Sequence, residues 1–158
     1  MRNLVLILAI AALWVPLAGC ASDVSKSETN QQIAALNDKG WAALQRGDFG
    51  GAIALAMPKA EQGDAEFEFT VGYLKLEWLE NPDAIEPPEH TAQDGLLWVR
   101  KAAAKGVPQA AGLLSSGYKW GWYGLPKDEA LHTCWRNVEI YSQDPDSCVV
   151  AETKKSRH

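Results

Sequence analysis

A chain of 158 residues has room for one domain, and its 47% hydrophobic content is typical of a globular protein. The formal net charge is −5 at pH 7, so the chain has no excess of basic residues that would attract a polyanion. We therefore expect no nucleic-acid partner.

The first predicted element is a signal peptide. Arg2 supplies one positive charge, an uncharged apolar run extends from Leu4 to Leu17, and small residues precede Cys20. The run is shorter than the ~20 residues that a bilayer-spanning helix needs. We predict that residues 1–19 are removed on export, and an uncleaved N-terminal helix is the alternative.

The end of this segment, Leu17-Ala18-Gly19-Cys20, resembles the lipobox of bacterial lipoproteins. The resemblance implies that Cys20 carries diacylglycerol on its sulfur and is then N-acylated, and two or more chains anchor a protein stably to a membrane. Ala21 rather than Asp follows, which in a Gram-negative host implies the periplasm-facing inner leaflet of the outer membrane. Residues 20–30, small and polar, are then a lipidated tether.

Three segments farther along align without gaps, and each has apolar residues at the three- and four-residue spacing of a helix. They are Asp48–Gly63, Gly95–Gly106 and Asp128–Val138. Leu55, Trp98 and Trp135 share one column, and we expect both tryptophans to face the core.

Glycines and capping residues mark the predicted helix boundaries. Gly63 and Gly106, 43 positions apart, stand where a helix would end in a left-handed cap. Asp64 is a candidate N-cap for the next helix, and Pro108 suits a first helical turn. The candidate N-caps of the second helices are Thr91, with Asp94 three residues on, and Asp128.

These columns are similar to the Sel-one-like repeat, a relative of the tetratricopeptide repeat. The clearest match has Tyr118, Gly121, Gly124-Leu125-Pro126-Lys127-Asp128 and Trp135 where the family has Tyr, Gly, Gly-Val-Pro-x-Asp and Trp. The resemblance covers residues 31–140. It implies an all-α fold, specifically a right-handed α/α solenoid of about three helix pairs, with an adaptor or scaffold role.

The chain also departs from the family pattern. Ser115 replaces a glycine that lets two helices approach closely, and Gly95 and His132 stand where alanine is usual. Pro58 falls inside a predicted helix, which it should kink or shorten. The pattern fades before residues 141–158, which we expect to form a C-terminal tail that closes the stack.

In tetratricopeptide solenoids the first helix of each pair lines a concave groove. Transferred to this chain, that geometry implies an aromatic stripe of Trp41, Phe69, Tyr73 and Trp120 that binds a protein or peptide. The alternative is that these rings pack between helices. A second candidate surface is the ring-rich loop 120–124. The other residues of the predicted groove are Asn37, Leu44, Gln45, Glu66, Leu76, Glu77, Gln109, Ser116 and Lys119.

Three cysteines occur, and Cys20 is assigned to the lipid. Cys134 and Cys148 remain as an even pair in an oxidising compartment. We predict that they form a disulfide, which would stabilise the fold by about 3 kcal/mol in the chain-entropy model. Two free thiols are the alternative if the compartment differs.

Signatures of catalysis and metal binding are missing from the sequence. His90, His132 and His158 form no metal-type pair, and neither a phosphate-binding glycine loop nor a Gly-x-Ser-x-Gly elbow occurs. Carboxylates such as Glu66, Glu68 and Glu77 have the pattern of solvated helix faces. We therefore expect no cofactor, no metal and no enzymatic activity.

The leading hypothesis is an envelope lipoprotein that binds a protein or peptide partner. A sharper version is an immunity protein that neutralises a secreted toxin, such as a phospholipase. An envelope enzyme, and a structural lipoprotein without a dedicated partner, stay open as alternatives.

Overall fold

The computed structural model describes residues 38–82, 84 and 90–155. Within these ranges all regular secondary structure is helical, so this part of the chain is all-α, as the sequence predicts. The predicted signal peptide, the lipid site at Cys20, the tether and Asn37 lie outside the described residues.

Seven helices follow one another along the described chain, with one short 3₁₀ turn between the fifth and the sixth. The described part of α1 covers residues 38–44. The others are α2 (Phe49–Glu61), α3 (Ala65–Glu80), α4 (Ala92–Ala104), α5 (Pro108–Trp120), the 3₁₀ turn (Trp122–Gly124), α6 (Glu129–Tyr141) and α7 (Asp146–Lys155).

The helices begin at the capping residues that the sequence predicts. The Asp64 carboxylate accepts hydrogen bonds from the backbone N–H groups of the first turn of α3, and the Asp128 carboxylate accepts one from the first turn of α6. Thr91 and Asp94 form a reciprocal capping box at α4. Pro108 is the first residue of α5, where its missing N–H costs nothing.

Three helices end in the same way. Gly47, Gly63 and Gly106 have φ values of 73°, 86° and 81°, a left-handed conformation that glycine adopts without strain. In each case the N–H after the glycine donates to the carbonyl five residues earlier, which is a Schellman cap. These bonds are Asp48 N–H to Ala43 O at 3.0 Å, Asp64 N–H to Lys59 O at 3.2 Å and Val107 N–H to Ala102 O at 3.2 Å.

Pro58 does not end α2, because the helix continues to Glu61. Shortening, one of the two effects predicted for Pro58, therefore does not occur. Proline removes one backbone donor, whose acceptor would be the carbonyl of Ala54. Ala54 is exposed, so water can reach that turn of the helix.

From α2 onward each helix packs against the next one in the chain. The main core lies between α3, α4, α5 and α6 and includes part of α7. Its members lose nearly all contact with water, which stabilises the fold by about 1.5–3 kcal/mol for each large apolar side chain. The largest side chains of this core that are fully buried are Trp135, Leu76, Leu96, Leu114 and Val99.

Two positions differ from the sequence prediction. Leu76, expected in the groove, is fully buried because its side chain packs against the helix backbone at Gly95. Trp98, expected in the core beside Trp135, is only half-buried, and Lys101 Nζ lies 3.9 Å above its ring centroid. The aligned column of Leu55, Trp98 and Trp135 is therefore not uniform in burial: only Trp135 is fully enclosed.

The predicted C-terminal tail contains α7, which Cys148, Glu152 and Lys155 attach to the rest of the domain. Cys134 on α6 and Cys148 on α7 lie at disulfide-bonding distance, with their Cα atoms 5.7 Å apart. Glu152 accepts hydrogen bonds from Arg100 Nε at 3.2 Å and from the Tyr118 hydroxyl. Lys155 forms an ion pair with Asp128.

None of the helices in the described ranges is both long and apolar enough to cross a membrane.

Candidate functional site

The residues of the predicted groove differ in exposure. Trp41, Gln45, Glu66, Lys119 and Trp120 are exposed. Tyr73 is 41% exposed, and Phe69 and Glu77 are half-buried. Apart from Leu76, the apolar and aromatic groove residues in the described ranges are therefore at least partly accessible rather than sealed in the core; they are Trp41, Leu44, Phe69, Tyr73 and Trp120.

Five residues at three- and four-residue spacing form one surface of α3. We call this surface the α3 face; it consists of Glu66, Phe69, Tyr73, Glu77 and Glu80. The Phe69 and Tyr73 rings contact each other, with centroids 5.8 Å apart and planes at 30°. Phe69 also packs against the main core, so the Tyr73 ring is supported from below by a partly buried neighbour.

The Glu77 carboxylate lies next to the Tyr73 hydroxyl. Burial and the adjacent Glu77 carboxylate raise the pKa of the Tyr73 hydroxyl. Within the described ranges, no lysine, arginine or histidine lies within 4.0 Å of the carboxylates of Glu66, Glu77 or Glu80. The α3 face therefore presents negative charge that the described residues do not neutralise.

The opposite side of α3 carries a carboxylate in a different setting. The sequence pattern predicts Glu68 on a solvated face, and this is wrong: Glu68 is buried, because Lys105 Nζ lies 2.7 Å from its carboxylate and pairs with it. The same ammonium group donates to the Gly63 carbonyl at 2.9 Å, so it ties the α2–α3 turn to the end of α4. Glu68 is thus paired inside the fold, whereas the carboxylates of the α3 face are not.

The ring-rich loop 120–124 contributes a tyrosine to the α3 face. Tyr123 has φ 56°, a left-handed conformation that costs a side chain-bearing residue energy. Burial raises the pKa of its hydroxyl to about 12, with further increases from the nearby carboxylates of Glu80 and Glu77. The second surface suggested by the sequence therefore adjoins the first one, and Glu80 is a member that the sequence did not single out.

The remaining aromatic residues of the predicted stripe lie in other surroundings. Among the described residues, the rings of Phe69 and Tyr73 contact each other, and neither ring contacts that of Trp41 or Trp120. Lys119 Nζ lies over the Trp120 ring, 4.8 Å from its centroid. Trp41 lines an apolar cavity of about 430 Å³ between α1, α2 and α3, together with Leu44, Leu55, Phe67 and Leu74.

A buried serine–histidine pair joins α5 and α6. Ser115 Oγ lies 2.9 Å from His132 Nδ1 and 3.2 Å from the His132 carbonyl oxygen. His132 Nδ1 also lies 3.1 Å from the Ser115 carbonyl oxygen. A hydroxyl beside an imidazole is the pairing used in nucleophilic catalysis, but these residues are 2% and 8% exposed, so a substrate has no access to them in this structure. Their visible role is to hold the two helices together.

The described part of the chain contains no group of three or more histidine, cysteine, aspartate or glutamate side chains arranged to hold a metal ion.

These features define an all-α protein of consecutively packed helices, with an aromatic and acidic surface on α3. No protein-family model, no curated protein and no solved structure matches the chain.

Proposed function

We propose that this chain is a lipid-anchored envelope protein of the Sel-one-like repeat class that binds a protein or peptide partner through the α3 face. The helix pairs α1–α2, α3–α4 and α5–α6 would form a right-handed solenoid, and α7 would close its C-terminal end. Lipid on Cys20 would hold this domain on the periplasmic side of the outer membrane.

The repeat assignment is supported by matching local geometry. The Schellman caps at Gly47, Gly63 and Gly106 end α1, α2 and α4, and each leads directly toward the next helix. Gly72 and Gly95 approach closely across the α3–α4 pair, and the aligned residues Ser115 and His132 meet across the α5–α6 pair. These caps and junctions support the repeat assignment, whereas the aligned column of Leu55, Trp98 and Trp135 differs in burial.

The exposure and rigid support of Tyr73 carry the binding proposal. Its ring is 41% exposed, contacts the ring of Phe69 and stands beside the Glu77 carboxylate. A supported aromatic ring with a polar tip is the kind of side chain that dominates binding energy at protein interfaces, because little conformational entropy is lost on binding. The net charge of −5 agrees with a protein rather than a nucleic-acid partner.

Site-specific photo-crosslinking tests this binding role. A photoreactive phenylalanine analogue would replace Tyr73 in the full-length protein, expressed in its native cell envelope. Leu97, which is 58% exposed on α4, would be the matched control site. We expect a discrete crosslinked protein from position 73 and none from position 97. The absence of a product at position 73, or the same products at both positions, would overturn the proposal.

The lipid anchor is tested separately. Growth with a clickable fatty acid should label the full-length protein, and the Cys20→Ala variant should lose the label together with membrane association. Label that persists in Cys20→Ala would show that the anchor assignment is wrong.

A further inference from the structure

The charge of the α3 face indicates what kind of partner it would take. Glu66, Glu77 and Glu80 lie on this surface without a cationic partner among the described residues, whereas Glu68, on the buried side of the same helix, is paired with Lys105. Neighbouring carboxylates without a cationic partner repel each other, so a cation placed between them is favoured.

Aromatic rings lie next to these carboxylates. Tyr73 is partly exposed and is held against Phe69, and Glu77 follows Tyr73 by one helical turn. Tyr123 reaches the same region from the loop after α5, close to Glu77 and Glu80. A ring beside carboxylates attracts a cation in two ways, because the ring face carries negative charge density and the carboxylates carry full charges.

We infer that the α3 face receives a lysine or arginine side chain from the partner, with the charged head at Glu77 and Glu80 and the methylene stem against the Tyr73 ring. This inference rests on the proposed binding function and specifies the chemistry of its partner. An arginine would fit both features, because its planar head binds a carboxylate through two hydrogen bonds and also stacks on rings.

Other occupants fit the surface less well. An acidic segment would place like charges together on a protein that already carries a net charge of −5. A purely apolar segment would cover Glu77 and Glu80 without replacing the water that solvates them, which costs free energy. A basic segment avoids both penalties.

Three blocked pentapeptides test the charge requirement. They are acetyl-Gly-Ser-Arg-Ser-Gly-amide and the versions with citrulline or glutamate in place of arginine; citrulline keeps the shape of arginine without its charge. Backbone amide shifts of the full-length, isotope-labelled protein would be followed up to peptide concentrations of about 10 mM, because a single side chain binds weakly. We expect the arginine peptide to shift resonances of α3 and Tyr123, and citrulline and glutamate peptides to leave them unchanged. Equal shifts with citrulline, larger shifts with glutamate, or no shift with arginine would overturn the inference.

A double variant and a matched control test the carboxylates. Glu77→Gln combined with Glu80→Gln should weaken binding of the arginine peptide by about fivefold or more, because each exposed charge pair contributes modestly. Glu61→Gln, at the exposed end of α2, removes one negative charge away from the α3 face and should leave the affinity unchanged. If Glu61→Gln lost half or more of the binding free energy that the double variant loses, net charge alone would explain the effect, which contradicts a defined site.

The crosslinked partner separates this inference from the binding proposal. If a partner crosslinks at position 73 but is captured equally by the protein with Glu77→Gln and Glu80→Gln, the α3 face binds and the cation inference is wrong. If nothing crosslinks at position 73, the binding proposal itself fails.

Discussion

Ser115 and His132 meet where α5 packs against α6. In the sequence alignment these positions correspond to Gly72 and Gly95, which meet where α3 packs against α4. In the first pair a Cβ atom on Gly72 would lie 2.8 Å from the carbonyl oxygen of Gly95, so the two helices meet backbone to backbone. In the second pair Ser115 Oγ lies 2.9 Å from His132 Nδ1. One helix junction is therefore closed by the absence of side chains, and the aligned junction is closed by a buried hydrogen bond.

The glycine junction gives the first prediction. Gly72→Ala should destabilise the protein by about 2 kcal/mol, because the new methyl group meets backbone atoms and the helices must separate. Gly40→Ala in α1 is the matched control: a Cβ there has nothing within 4 Å. That change should stabilise the protein by about 0.5–1 kcal/mol through the lost backbone freedom of the unfolded chain. Urea unfolding measures both, and equal effects would contradict the close approach.

The polar junction gives the second prediction. Ser115→Ala should cost about 1 kcal/mol, because His132 Nδ1 can still reach the carbonyl oxygen of residue 115. His132→Ala should cost more, about 2–3 kcal/mol, because it also leaves a cavity beside a buried hydroxyl. Thr133→Ala, at an exposed position on the same helix, is the control and should change stability little. An unchanged free energy of unfolding in His132→Ala would show that the pair does not hold α5 to α6.

The third prediction concerns the cysteine pair. Cys148 is buried in the core on α7, whereas Cys134 is only half-buried on α6. Replacing both with serine should lower the free energy of unfolding by about 3 kcal/mol, and the amides of α7 should exchange with solvent faster than those of α4. Identical exchange of α7 in the oxidised protein and the double variant would show that the disulfide does not fasten this helix.

Tyrosine ionisation gives the fourth prediction. Burial, followed by a hydrogen bond to Glu152, raises the pKa of Tyr118 from 10.0 to about 12, and burial with Glu80 and Glu77 does the same for Tyr123. Because the pKa is higher in the folded state, both groups stabilise the fold fully below pH 10, and that contribution is lost as the pH rises toward 12. Ultraviolet titration should show late ionisation of three tyrosines, because burial and Glu77 also raise the pKa of Tyr73. In the double variant Glu77→Gln and Glu80→Gln, Tyr73 and Tyr123 should ionise earlier and Tyr118 should not change; if all three stay unchanged, the two tyrosines do not lie near those carboxylates.

Helix boundaries could be predicted from the sequence because they depend on local chemistry. The glycines at 63 and 106 adopt the left-handed conformation that only a few residues tolerate, and Asp64 and Asp128 satisfy backbone donors within their own first turns. Such contacts span only a few residues, so the pattern alone specifies them.

Burial and long-range contacts could not be predicted in the same way. The sequence places Leu76 in the groove and Trp98 in the core, but Leu76 is buried and Trp98 is half-buried. Which side of a helix is covered depends on the angle at which its neighbour crosses it. The approach of Tyr123 to Glu80 and the Ser115–His132 hydrogen bond join residues from different helices. No periodicity in one segment encodes such a pairing.

The most direct test of the central claim compares binding with stability in Tyr73→Ala. If the α3 face is a binding surface, this variant should lose about 2 kcal/mol of binding free energy for the crosslinked partner, or about thirtyfold in affinity, and less than about 1 kcal/mol of unfolding free energy. Trp135→Ala, in the closed core, should instead lose at least about 3 kcal/mol of unfolding free energy. A Tyr73→Ala variant that binds the partner normally, or that unfolds as easily as Trp135→Ala, would contradict the account.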